Sequence, residues 1–270
     1  MSGQPDEDLY LDLLERVLTR SGFPSYRMVR GEGWTRRLYA PVSMLLERTN
    51  LELVRRVDPR HRESGQDIPV DAETMVGLRR LHDLRACITN VIDDGVPGDL
   101  IETGVWRGGT CIFMRAVLKA LGSSDRTVWV ADSFAGMPPT DVDRYPADAG
   151  DTIGQWSPIV VPIEEVRANF ERYGLLDGQV RFLQGWFEDT LPGAPIDRLA
   201  ILRLDGDLYS STTDVLTALY DRVSIGGYVI VDDYGLSTCR AAVDDFRSRR
   251  NITDPIVDID GAGIRWRRSG

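Results

Sequence analysis

From residue 99 onward the chain alternates short, almost wholly apolar runs with stretches of helical period, and this restricts its fold more than any other feature. The runs are DLIETG (99–104), TVWVADS (127–133), VRFLQG (180–185), LAILRLDGD (199–207) and GGYVIVDD (226–233). Helical stretches lie between and after them, up to about Leu121 and near 163–173, 211–222 and 237–250. A strand that is apolar along its whole length must be covered on both faces. Strand–helix alternation of this kind predicts an α/β fold with a doubly wound, Rossmann-like parallel sheet. The closing runs PIVDIDG (255–261) and GIRWRR (263–268) can pair as a hairpin, which adds an antiparallel strand at or near one edge.

Before residue 99 the pattern is different. Residues 8–20 place Leu9, Leu13, Leu14, Val17 and Leu18 on one helical face that must dock on something. The stretch from Gly22 to about Pro41 mixes Phe23, Tyr26, Trp34, Arg36, Arg37 and Tyr39 without period and reads as irregular, part of a substrate cap. Further helices are expected over about Ser43–Val57 and Asp71–Asp93, where Met75, Leu78, Leu81, Leu84, Cys87 and Ile88 recur at helical spacing. The expected organisation is a helical cap over 1–70 and a main domain over 71–270. Gly136–Pro162 is too rich in Pro, Gly and Asp for a long helix and too long for an ordinary connector. It is expected to be a lid, with Tyr145 and Trp156 able to stack on a sugar.

Composition excludes several function classes. A net charge of −10 argues against a nucleic-acid partner, whose phosphates are held by Lys and Arg. No apolar run approaches the roughly 20 residues that cross a bilayer. The acidic start MSGQPDEDLY is not a leader, so a cytoplasmic protein is expected. Cys87, Cys111 and Cys239 are isolated and read as buried apolar residues, neither a disulfide framework nor a thiolate cage. Lys119 is the single lysine and sits within an apolar helix. It fits neither a phosphate-loop lysine, a kinase strand lysine nor a Schiff-base amine. His61 and His82 belong to no catalytic pattern and read as structural or solvated.

The segment IETGVWRGGT (101–110) leaves a strand and opens a helix. Its glycines, Gly104, Gly108 and Gly109, do not make the G-x-G-x-x-G of a dinucleotide site, and Trp106 stands where the second glycine would be. A bulky residue there tells against a pyrophosphate, while backbone amides can still meet a ligand without one. Glu102 at the strand end suits an ammonium group. Asp132 ends the next strand, where a carboxylate accepts bonds from the two hydroxyls of a ribose. Ribose recognition without pyrophosphate recognition fits S-adenosylmethionine better than a nicotinamide dinucleotide. Gly185, Trp186 and Phe187 follow the third strand and suit packing on adenine. Asp205, Asp232 and Asp233 follow two core strands at their carboxyl ends and can converge. Three crowded carboxylates call for a hard cation, Mg²⁺, with Mn²⁺ and Ca²⁺ as alternatives. Asp207 reads as a helix cap.

DLIETGVWRGGT, VADSFAGMP, RLDGDLYSST and GGYVIVDDYG, in that order, resemble the macrocin O-methyltransferase family. The resemblance runs from ETMVGLRRL (73–81) to the closing DIDGAGIRWRR. It implies a class I methyltransferase sheet and a Mg²⁺-dependent transfer of methyl from S-adenosylmethionine to a sugar hydroxyl of a macrolide, aminocoumarin or related glycoside. It also implies that Asp205 is metal ligand and general base, and that Asp232 and Asp233 are metal ligands. Glu102, Thr103, Gly104, Val105 and Trp106, with Asp132, Ser133 and Phe134, are the implied cofactor contacts, and Thr74 and Met75 lie on the methionine end. The expected partners are a small glycoside and a second copy of the chain in a homo-oligomer, with no membrane or nucleic acid. A catechol-like phenol as acceptor, a catalytically silent cofactor-binding partner and a nicotinamide-dependent oxidoreductase are the competing readings.

Overall fold

The computed structural model describes residues 5–24, 26–28, 36–47, 49, 51, 53–56, 58–65, 69–155 and 157–270. The chain opens with α1 (Pro5–Leu18), β1 (Tyr26–Met28), α2 (Arg36–Glu47), β2 (Val54–Arg56), α3 (Pro59–Ser64) and α4 (Leu78–Asp93). The main sheet follows with β3 (Asp99–Thr103), α5 (Gly109–Ala120), β4 (Val128–Asp132), α6 (Ile163–Arg172), β5 (Val180–Gln184) and α7 (Phe187–Thr190). It continues with β6 (Leu199–Leu204), α8 (Tyr209–Leu219), β7 (Val223–Val231), α9 (Ser237–Arg249), β8 (Val257–Asp258) and β9 (Ile264–Arg267). Its seven strands run in the order β5-β4-β3-β6-β7-β9-β8. The first five are parallel, and the closing hairpin pairs antiparallel, β9 against β7 and β8 at the edge.

Alternation along each strand divides the apolar residues between two cores. Leu100, Val128, Val130, Ala200, Tyr228 and Ile230 join the core under α1, α4, α5 and α6. Ile101, Trp129, Ala131, Leu202, Val229 and Val231 join the core under α8 and α9. β6 is buried at every position, whereas β5, at the sheet edge, is partly open. From β3 the chain winds outward to β4 and β5, then returns to the other side of β3 at β6. Such a reversal opens a crevice at the carboxyl ends of the two central strands, where open α/β sheets bind ligands.

The region before β3 departs from the sequence expectations. The buried face of α1 is Leu11, Leu14 and Leu18, while Leu9 and Leu13 are 70% and 59% exposed. Leu14 and Leu18 of the expected face are thus buried while Leu9 and Leu13 are not, and the buried stripe carries Glu15, which His82 Nε2 approaches at 2.7 Å. The helix expected over 43–57 lies at Arg36–Glu47, and residues 54–56 form a strand paired with 26–28. A short run such as LELVRRV does not distinguish strand from helix by period alone. The helix expected from Asp71 begins only at Leu78. A Cβ on Gly77 would stand 2.4 Å from the Gly65 nitrogen, so the chain before α4 runs as a strap against the end of α3. Trp34 and Trp156, singled out above, lie outside the described residues, as do the side chains of Arg36, Arg37 and Tyr39.

Candidate active site

The turn after β3 is shaped by close backbone approach. A Cβ on Gly104 would lie 1.7 Å from the Asp205 carbonyl oxygen, so the tips of β3 and β6 touch there and only glycine fits. Trp106 adopts φ +48°. Its indole nitrogen donates to the Pro158 carbonyl (2.8 Å) and the Arg107 guanidinium lies over its ring, which ties this turn to the segment 136–162. Asp132, at the end of β4, accepts from the Val105 and Phe134 amides, both at 2.8 Å. Part of its acceptor capacity therefore joins the β3 and β4 tips, and the remaining lone pairs are left for a ligand. Burial raises the Asp132 carboxyl, opposed by these amides.

The sheet pleat and register assemble a charged row at the adjoining strand ends. Glu102 pairs in register with Arg203, and Arg203 with Ile230. Asp205 and Asp232 extend the ladder one residue, their amides donating to Thr103 (2.9 Å) and Leu204 (2.8 Å) carbonyls. Arg203, 2% exposed, donates to Glu102 Oε1, Asp205 Oδ2 (2.8 Å) and Asp232 Oδ1. Arg80 of α4 donates to Asp232 Oδ2 and to Asp260 Oδ2 (2.8 Å) on the closing hairpin. Glu102 also accepts from Cys111 Sγ (2.8 Å), so both of its oxygens are engaged within the protein. The sequence reading missed both arginines. Arg203 had a signal: a cation inside the otherwise apolar run LAILRL must be paired once buried.

Carboxylates outnumber these cations. Burial pushes Glu102 up to about 8 against the pull of Arg203. Burial and then Asp232 raise Asp205. Burial and the crowd of Asp207, Asp205 and Asp232 drive Asp233 well above the ordinary carboxylate range. Burial and then Asp205 lift Asp207 to about 7. Oxygens of Asp205, Asp232 and Asp233 lie within 4.8 Å of one another. Hard donors at that spacing suit a divalent cation, and its charge would relieve the repulsion that lifts Asp205 and Asp233.

Asp207 is not the helix cap expected of it. It sits in the left-handed region, φ +56°, and its amide donates to Asp233 Oδ2 (3.2 Å). The N-terminus of α8 is held by buried Asp148, whose carboxylate accepts from the Tyr209 (2.7 Å) and Ser210 (3.0 Å) amides. Asp148 belongs to the segment 136–162, which contains the short turns Pro146–Asp148, Ile153–Gln155 and Ser157–Ile159. That segment is thus fastened to α8 as well as to Trp106.

Two hollows meet at Gly104, Asp132, Gly136, Met137 and Asp205. The larger, of about 710 Å³, is lined by Thr74, Met75, Glu102, Val105, Trp106 and the acids Asp232 and Asp233, together with Arg80, Thr110 and Asp207. The other is lined by Ser133, Gly185, Trp186 and Phe187, with Tyr145, Ser211 and Asp214. Thr103 and Phe134 line neither. The Thr103 hydroxyl donates to the Arg203 carbonyl (3.3 Å), and the Phe134 ring packs on Phe182. Neither histidine lines these hollows.

A doubly wound sheet with a glycine turn after its central strand, an acid closing the neighbouring strand and an acid cluster across the crevice is the architecture of class I methyltransferases. The macrocin-O-methyltransferase (TylF) family matches residues 7–268, and the chain belongs to that family. It is an O-methyltransferase. It is 52% identical over 263 residues, 97% of this chain and 93% of the relative, to the 8-demethyl-8-(2,3-dimethoxy-alpha-L-rhamnosyl)-tetracenomycin-C 4'-O-methyltransferase of Streptomyces olivaceus. It is 47% identical over 272 residues, the whole of both chains, to the mycinamicin III 3''-O-methyltransferase of Micromonospora griseorubida. Among solved structures, the O-methyltransferase NovP superposes with a TM-score of 0.86 at 46% identity, over 98% of this chain and 100% of that one. Among the described residues no helix is long and apolar enough to cross a membrane.

Proposed function

We propose that the chain transfers a methyl group from S-adenosylmethionine to a sugar hydroxyl of a glycosylated natural product, with Mg²⁺ at the acid cluster. The observation that carries this reading is the contact of Gly104 with Asp205, which brings a ribose-type acid turn and a hard-cation acid set to one wall. The activities of the two relatives support the acceptor class, since one acts on a rhamnosyl tetracenomycin and the other on mycinamicin III. Thr74 and Met75 would hold the methionine end, Asp132 the ribose, and Gly185, Trp186 and Phe187 the adenine. Asp205, Asp232 and Asp233 would hold Mg²⁺, which would lower the pKa of the acceptor hydroxyl when bound. Asp205 takes the proton at the oxygen not engaged by Arg203, as the hydroxyl oxygen forms its bond to the methyl carbon. The carbon–sulfur bond breaks and its electron pair stays on sulfur.

The segment 136–162 closes over the acceptor, presenting Tyr145 to one hollow and Ile153 and Ile159 to the other. The apolar residues Leu9, Leu13, Met44 and Leu45, all more than half exposed, support pairing with a second copy of the chain, which light scattering of the purified protein tests. The reaction is tested by mass spectrometry with a deoxysugar glycoside, its aglycone, a nucleotide-linked sugar and a catechol. A mass gain of one CH₂ confined to the glycoside is expected. Methylation of the catechol or the bare aglycone instead would overturn the acceptor assignment.

A further inference from the structure

Residues 69–77 form a strap between α3 and α4 whose backbone is held mainly by groups from elsewhere. From the main-domain side, Arg107 Nη1 donates to the Val70 (2.7 Å) and Ala72 (3.0 Å) carbonyls, and the Gly109 amide donates to the Glu73 carbonyl (2.9 Å). Thr110 meets the Thr74 hydroxyl at 3.1 Å. From the N-terminal side, the Glu73 amide donates to the Leu18 carbonyl at the end of α1 (3.1 Å). Arg62 of α3, 1% exposed, donates from Nη2 to the Met75 (2.5 Å) and Val76 (3.3 Å) carbonyls. The Gly65–Gly77 approach closes the same junction, since a Cβ on Gly65 would stand 2.6 Å from the Gly77 nitrogen. Gly65, Thr74, Met75 and Val76 all line the larger hollow.

Arg62 is buried, and two successive carbonyls of this irregular segment accept from it. What these bonds supply is direction: one buried nitrogen donating to both carbonyls fixes the path of the backbone through Met75 and Val76. We infer that Arg62 is a positioning residue for the cofactor. Through it, the N-terminal segment sets the wall against the methionine end of S-adenosylmethionine, although Arg62 itself touches neither cofactor nor acceptor. The inference rests on the proposed cofactor site.

The test measures S-adenosylhomocysteine affinity by calorimetry, steady-state kinetics and thermal denaturation on wild type, Arg62→Gln and Arg62→Lys. Arg62→Gln is expected to weaken the affinity and raise the S-adenosylmethionine KM by roughly tenfold, the scale of effects from residues that act through others. The kcat at saturating cofactor, the acceptor KM and Mn²⁺ binding by electron paramagnetic resonance should stay near wild type. Arg62→Lys should recover part of the affinity. A merely structural role would lower the melting temperature and the active fraction and leave KM unchanged, and that result overturns the inference. So does unchanged affinity in a folded Arg62→Gln protein.

Hydrogen exchange on the wild-type protein decides the matter if the variants do not fold. S-adenosylhomocysteine should slow exchange in both 69–77 and 59–65, and slowing confined to 69–77 refutes the coupling. Failure of wild type to bind S-adenosylhomocysteine would instead overturn the cofactor site itself.

Discussion

Replacing Arg203 with Met exposes how the acid row is held. The side chain is buried and meets Glu102, Asp205 and Asp232, of which Glu102 and Asp232 are themselves buried. Met fills similar volume without charge, so packing changes little while buried Glu102 loses the cation that pairs with it and buried Asp232 keeps Arg80 alone. Removing one partner of a buried pair costs about 3 to 5 kcal/mol. For a chain of this size each kcal/mol lowers the melting temperature by roughly 2 to 4 °C, so a fall of roughly 6 to 20 °C is expected. The cause has a signature in pH. An uncompensated buried carboxylate has its folded pKa raised further above its unfolded value, so its stabilising protonation is complete at low pH and lost as pH rises. Circular dichroism melts at about pH 5 and pH 8 should therefore show a larger deficit at the higher pH. A fall of under about 2 °C at pH 8, or equal deficits at both, would refute the assignment of Arg203 as the cation that holds these acids together.

The same network predicts how the wild type responds to pH and metal. Burial lifts Glu102 to about 8 and Asp207 to about 7, against unfolded values of about 4. Stability from these groups is full below their unfolded values and declines as pH rises through 7 and 8. Mg²⁺ should accordingly raise the melting temperature more at pH 8 than at pH 5, and an equal rise contradicts this. Asp132→Ala removes the acceptor of two backbone amides as well as the proposed ribose contact. S-adenosylhomocysteine affinity should fall by roughly 1.5 to 3 kcal/mol, and unchanged affinity in calorimetry would mean that the ribose lies elsewhere. Asp148→Ala uncaps α8 at a cost of roughly 1 to 2 kcal/mol. It should also speed proteolysis within 136–162, and neither effect is expected if that segment is a loosely attached insertion.

The sheet was legible in the sequence because strands covered on both faces have no room for polar residues, as LAILRL and GGYVIV display apart from Arg203. The acids that ended those runs stood out for the same reason. What escaped were pairings between distant residues. Nothing local to VPGDLIETG announces that Glu102 will meet Arg203, or that a residue 61 positions before Tyr209 will cap its helix in place of nearby Asp207. Before β3 the difficulty was degeneracy. α1 carries leucines at helical spacing on more than one side, and only packing against α4 and α5 adds Leu11 to the expected Leu14 and Leu18 and leaves Leu9 and Leu13 outside. Met75 continued the helical period of α4, yet Gly77 stops the helix short, and that places Thr74 and Met75 at the hollow.

The central claim, a metal-assisted methyl transfer at Asp205, Asp232 and Asp233, is tested most directly by following isotopically labelled methyl from S-adenosylmethionine into a glycoside acceptor. The enzyme is assayed with Mg²⁺, in excess chelator, and after Mg²⁺ is restored, beside Asp205→Asn, Asp232→Asn, Asp233→Asn and Asp207→Asn. Label should enter the acceptor with Mg²⁺, stop in chelator and resume on restoration. The first three variants should lose turnover by on the order of 100-fold, as expected when a positioned reacting group or its support is lost. Asp207→Asn, which keeps a residue tolerant of the left-handed turn, should lose less. Full turnover in excess chelator, or wild-type rates in Asp233→Asn, would contradict the account.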